Sequence, residues 1–213
     1  MSTPVLIIGE SGYGKSYSMR NLDPANTLLV QAVAKPLPWR GAKEQGWKLF
    51  DATSKTGNIF VTDKAQEVVA LMQGTKRKTI VVDDYQYVLS NELLRKWNVT
   101  GYAKFSEVGY NGLNMITVAS TLAPDVHIYF LAHSEMGEDG ITRVKTPGKL
   151  MSSYVVEGLF SMVLKATIRD GKHYFATMNS GSDTVKAPVG MFDEELIDND
   201  LDFVDKSITA FGW

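Results

Sequence analysis

Cysteine is absent from the 213-residue chain. That excludes disulfides, thiolate metal sites and thiol catalysis, and it fits a reducing compartment. Long apolar runs are also missing: none approaches the ~20 residues that cross a bilayer, and no charged-then-apolar leader precedes the first strand. The expectation is a cytoplasmic protein with no membrane partner. Charge is balanced, with 22 Lys and Arg against 24 Asp and Glu, so any nucleic-acid surface has to be a local patch. His127, His133 and His173, the three histidines, are not spaced as a helical metal pair. No repeat, low-complexity tract or linker interrupts the chain, and residues 1–213 read as a single α/β domain.

What is present is organised around Pro4–Asn21. An apolar run, Val5 to Ile8, turns through Gly9-Glu10-Ser11-Gly12-Tyr13-Gly14-Lys15-Ser16 and continues through Tyr17 into a stretch that reads as helix, Lys15–Leu22. This is GxxxxGK[ST] between a buried strand and a helix, the context the pattern requires. Gly9, Gly12 and Gly14 let successive backbone N–H groups turn inward around a phosphate, and the helix start adds free N–H groups and its dipole. Lys15 is expected to reach the β- and γ-phosphates of a nucleoside triphosphate, and Ser16 to hold Mg²⁺.

A second strand, Thr27–Gln31, leads into the loop Ala34–Gly46, which carries two prolines and Trp39; irregular chain of that length is usually functional. Trp47–Asp51 and Asn58–Val61 read as a small hairpin, and Asp63 as the N-cap of a helix over Lys64–Met72. The buried run Thr79–Asp84 ends in two acids. Asp83 is assigned to the metal shell, since ligands bind off the carboxyl ends of parallel strands. Asp84 either orients or deprotonates the attacking water or caps the helix that follows. Helices are expected over Tyr85–Trp97 and Ala103–Thr121, with Tyr85, Tyr87, Tyr102, Phe105 and Tyr110 serving as core or as a base-stacking platform.

The strand Asp125–Ala132 ends at His133-Ser134, which either touches the γ-phosphate or the attacking water or forms an ordinary polar turn at the strand end. Arg143, Lys145 and Lys149 lie in a glycine-rich loop that is either solvated or meets DNA phosphate or a neighbour's nucleotide. Gly158–Ile168 and Lys172–Asn179 flank Arg169-Asp170-Gly171, a hairpin signal. Lys186 is the one cation of a short extended segment, and Met191–Trp213 reads as an acidic tail packed through Phe192, Leu196, Phe203 and Phe211.

Together these elements suggest a RecA-like P-loop NTPase core: a mostly parallel central sheet flanked by helices, with a late β-hairpin. The chain resembles small phage-encoded P-loop ATPases of the AAA family, functionally related to RecA-like single-strand annealing proteins. The resemblance lies in Gly9–Pro24, Lys35–Trp39, Val81–Val88, Phe130–Glu135 and Lys186–Phe192. It implies ATP and Mg²⁺, assembly into a homo-oligomer, and action on single-stranded DNA in phage recombination or replication. It also implies that Lys186 is a finger reaching a neighbour's γ-phosphate. One departure matters. RecA-like ATPases commonly place a glutamate after the second strand, and here the chain reads Gln31-Ala32-Val33-Ala34-Lys35. Either Asp84 takes over, or hydrolysis is slow and the protein is a nucleotide-switched loader that recruits a DNA-processing partner. A small-molecule kinase is the third reading, against which stands the wide dispersal of the arginines.

Overall fold

Four consecutive residues of the first strand, Val5, Leu6, Ile7 and Ile8, are fully buried. Alternate strand residues face opposite sides, so burial of all four means that both faces of this sheet are covered. The computed structural model describes residues 1–147 and 154–213. Nine strands among the described residues form one sheet: β1 (Thr3–Gly9), β2 (Thr27–Gln31), β3 (Ile59–Val61), β4 (Thr79–Asp83), β5 (His127–Met136), β6 (Thr142–Val144), β7 (Met162–Arg169), β8 (Lys172–Ala176) and β9 (Leu196–Asp198). The order is β3-β2-β4-β5-β1-β7-β8-β9, with β6 paired to β5. The run from β3 to β7 is parallel, while β6, β8 and β9 join antiparallel. This is a mostly parallel sheet flanked by helices with a late hairpin, the RecA-like arrangement the sequence suggested.

One face carries Leu6, Ile8, Val30, Val82 and Phe130 against α2 (Ala65–Gly74), α3 (Tyr85–Arg95) and α4 (Ala103–Thr121). The opposite face carries Val5, Ile7, Leu29, Val81 and Leu131 against Met19, Trp47 and the C-terminal α5 (Leu201–Phe211). Helix α5 is capped by Asp200, whose side chain accepts from the Asp202 N–H. It is tied to the sheet by Asp205, which accepts from Tyr129 Oη at 2.7 Å and lies 2.9 Å from His127 Nδ1.

Several expectations change. Leu201, Val204 and Ile208, at helical spacing, anchor the tail, whereas Phe203 and Phe211 are exposed. Asp63 does not cap α2, whose N-cap is Lys64; its carboxylate accepts from Asn91 and Arg95 of α3 instead. The expected hairpin before β3 is an antiparallel bridge of Asp51 to Thr56, and β3 itself pairs parallel with β2. A four-residue helix α1 (Ala42–Gln45) sits in the second loop. The β7–β8 turn does form as read, with Asp170 and Gly171 both at positive φ, as a two-residue hairpin requires. No helix among the described residues is long and apolar enough to cross a membrane.

Candidate functional site

The carboxyl ends of β1, β4 and β5 meet because Gly9 is level with His133, and Asp83 with Leu131, in the sheet register. The loop after β1 turns at Gly12 (φ 82°) and Gly14 (φ 89°), which take the left-handed conformation that a Cβ penalises. Gly9 has a different reason: a Cβ there would lie 3.0 Å from Ala166 Cβ of β7. Its smallness serves strand packing, not the loop's conformation. The helix expected over Lys15–Leu22 is present as a short 3₁₀ helix, Ser16–Asn21. Six residues of that geometry align few peptide dipoles, so the loop amides must supply most of the attraction for an anion.

Lys15 is buried, and its ammonium donates to Gly9 O at 2.8 Å and Glu10 O at 2.9 Å. Burial lowers its pKa, against the opposing pull of Asp84 and Asp83. Ser16 Oγ donates to Asp83, 2.9 and 3.1 Å from the two carboxylate oxygens. Burial and the neighbouring Asp84 push the Asp83 carboxyl up to about 6. A hydroxyl and one buried carboxylate are hard oxygen donors, which suit a Mg²⁺ that keeps water and phosphate oxygens for its other positions. Among the described residues no cluster of three or more His, Cys, Asp or Glu stands ready to cage an ion, so a metal here has to be shared with a substrate. The residues present fit Mg²⁺ on those terms.

Asp84 follows at φ 93°, a strained conformation for a non-glycine residue and one that clusters at functional sites. Although it occupies the N-cap position of α3, its side chain makes no capping bond, which removes the capping reading. Instead it accepts from Lys35 Nζ at 2.6 Å and lies 3.4 Å from His133 Nε2. The hydrogen bond to Asp84 raises the Lys35 pKa, whereas burial and the nearby Lys15 lower that of His133. Tyr87 joins the group: its ring is 5.5 Å from Lys35 Nζ and edge-on to His133. Gln31, the last residue of β2, donates to Lys35 O and so holds the loop.

These groups open on a cleft of about 500 Å³ whose wall includes Ser11, Gly12, Lys15, Ser16, Tyr17 and His173. A second cleft of about 480 Å³ shares Ser11 and His133 and runs past Ser134 to Lys145. The Lys145 N–H donates to His133 O at 2.7 Å, which fixes that loop beside the site. Arg143 is held by Asp139 at 2.6 and 2.8 Å. Lys149 lies outside the described residues. Lys186 is exposed and hydrogen-bonded through its backbone to Val163; it borders a groove with Pro188 and Phe192 and not the phosphate cleft of its own chain. Tyr85 is fully buried core, Tyr87 reaches the cleft, and Tyr102 and Tyr110 are exposed together with Trp97.

Lys35 and His173 were not among the residues read from sequence as site residues, and Tyr87 was read only as core or as a base-stacking ring. The loop carrying Lys35 was flagged by its length and prolines, but nothing local paired that lysine with Asp84.

A mostly parallel sheet with a glycine phosphate loop after β1 and an aspartate facing its serine defines the P-loop NTPase architecture. No protein-family model matches the chain, and no curated protein matches it in sequence. Among solved structures, it is similar to the genome packaging NTPase B204 from Sulfolobus turreted icosahedral virus 2 in complex with ATP-gammaS, at 12% identity over 79% of this chain and 76% of that one, with a TM-score of 0.39. A likeness that distant leaves the site to be read from this chain's own geometry.

Proposed function

We propose that the protein binds ATP with Mg²⁺ in the cleft above β1 and hydrolyses it, working as an oligomer on single-stranded DNA in recombination or replication. The observation that carries the nucleotide reading is the contact of Ser16 Oγ with the Asp83 carboxylate at 2.9 Å, at the mouth of a loop whose glycines hold φ above 80°. Loop amides receive the phosphates, and Lys15 moves from Gly9 O and Glu10 O to the β- and γ-oxygens. Ser16 and Asp83 would hold Mg²⁺, which when bound neutralises charge developing between those oxygens. Asp84 accepts the proton of the attacking water once Lys35 releases it, and His133 stands beside it to sense the terminal phosphate. Lys186, outside its own cleft, is available to a neighbouring copy.

The DNA part of the reading is supported by the turn between α3 and α4. Helix α4 spans 19 residues, about 28 Å at 1.5 Å per residue. Residues 93–106 carry Lys104 together with Arg95, which pairs with Asp63, and Lys96, which pairs with Glu92 and Glu107, and they expose Trp97 and Tyr102 at 79% and 89%. Rings interleaved with cations suit stacked bases.

A second reading has an observation of its own. Lys35 pairs with Asp84, the carboxylate assigned to act on water, as in a nucleotide-switched loader that hydrolyses little and recruits a DNA-processing protein. ATPase rate with and without single-stranded DNA, across protein concentration, tests both. DNA-stimulated turnover whose specific rate rises with concentration supports the leading reading. A concentration-independent rate removes the trans role of Lys186, and a negligible rate with retained ATP binding selects the loader.

A further inference from the structure

The phosphate loop has two sides. Toward β5 and β4 stand Asp83, Asp84, Lys35 and His133, the charged groups that a terminal phosphate and its counter-ion need. The β7–β8 hairpin bounds the other side of β1. A triphosphate whose terminal end lies at Asp84 therefore leads its nucleoside out toward that hairpin. The hairpin presents His173, whose ring forms part of the cleft wall. Its Nδ1 is buried without a hydrogen-bond partner, and so are both polar atoms of the Asn199 side chain, a residue only 3% exposed. The two converge on one point of the loop: a Cβ on Gly14 would lie 3.0 Å from His173 Nδ1 and 3.1 Å from Asn199 Oδ1. Buried polar atoms are almost always paired, and unpaired ones call for a reason. Beside them Arg20 lies 4.5 Å over the Tyr17 ring and donates to Asn199 O, fastening the loop's exit to the β9–α5 junction.

We propose that His173 is a nucleotide-contacting residue that hydrogen-bonds the nucleoside moiety, with Asn199 as the residue packed beside it at Gly14 that limits where its imidazole can sit. This rests on the nucleotide reading above and adds to it a division of labour. The β1–β4–β5 side handles phosphate, and the β7–β8 hairpin recognises what the phosphate is attached to. Gly14 is then required twice, for its positive φ and for the room these two side chains take.

Calorimetric titration separates the two halves of the ligand, with ATP and inorganic tripolyphosphate as probes in the presence of Mg²⁺. For His173→Ala the expected result is about tenfold weaker ATP binding, with tripolyphosphate binding unchanged within twofold and the same melting temperature. His173→Gln, which keeps a donor and an acceptor, recovers part of the loss. Asn199→Ala shows the same split between the probes, smaller in size. Equal losses for ATP and tripolyphosphate, or no loss for ATP in either variant, overturn the assignment. A wild-type protein that binds tripolyphosphate and ATP equally well also overturns it, while one that binds neither removes the nucleotide reading itself.

Discussion

Asp83 is a buried acid beside another acid, and its carboxyl is pushed up to about 6 from a usual value near 3.8. The folded state therefore holds a proton more tightly than the unfolded chain. Its contribution to stability is full below pH ~4 and is lost as pH rises through about 6, by up to roughly 3 kcal/mol if burial acts alone. Asp83→Asn is expected to flatten this slope in denaturant unfolding at pH 4.5 and 7.5 and to raise stability at the higher pH. The same variant is expected to lose the Mg²⁺ dependence of nucleotide binding. A slope identical to that of the wild type would show that Asp83 does not bear the burial the geometry gives it.

Asp84 and Lys35 make the second test at this scale. With Asp84 as the group that accepts a proton from water, Asp84→Asn is expected to lower turnover by about two orders of magnitude or more. Lys35→Met frees the carboxylate and is expected to raise turnover several-fold. A fall with Lys35→Met would make the lysine a phosphate ligand in place of a restraint. The Ser16–Asp83 pair was legible in the sequence because a short motif and an acid-ended strand specify both partners. Lys35, His173 and Asn199 were not: they reach the loop from segments whose placement depends on sheet order, which no local spacing encodes.

Elements were legible where one period dominates. Thr27–Gln31 and Ala103–Thr121 are observed with the bounds read from sequence, the first a continuous apolar run and the second a long amphipathic one. The C-terminal segment was read as an acidic tail and not as a helix; of its named anchors Phe192 is buried, whereas Phe203 and Phe211 are not. Its buried stripe is Leu201, Val204 and Ile208, and Phe203 faces out at 47% exposure. Leu201→Ala is accordingly expected to cost about 2–5 kcal/mol in denaturant unfolding, against less than about 1 kcal/mol for Phe203→Ala. The reverse ranking would contradict the packing of α5. The segment after the phosphate loop was read as helix, and it forms one of 3₁₀ geometry over six residues, a distinction that a stretch so short does not encode in its sequence.

Across the whole molecule, the residues assigned to the nucleotide lie at the carboxyl edge of the sheet and the proposed DNA surface at the turn between α3 and α4. If bases stack there, Trp97→Ala and Tyr102→Ala are each expected to weaken binding to an oligothymidine by about tenfold, in line with ~1–3 kcal/mol per stacked base, with ATP binding unchanged. Unchanged oligothymidine affinity would take that surface out of nucleic-acid binding. With Arg95 and Lys96 paired to acids, the exposed rings and not net local charge carry such a patch. The central claim, that a triphosphate rests in the loop after β1 with Mg²⁺ shared between Ser16 and Asp83, meets its most direct test in ATP titration of wild type, Lys15→Ala and Asp83→Ala with and without Mg²⁺. The expected result is Mg²⁺-dependent binding in the wild type, loss of binding in Lys15→Ala, and binding in Asp83→Ala that no longer responds to the metal. Undiminished, metal-responsive binding in both variants would contradict it.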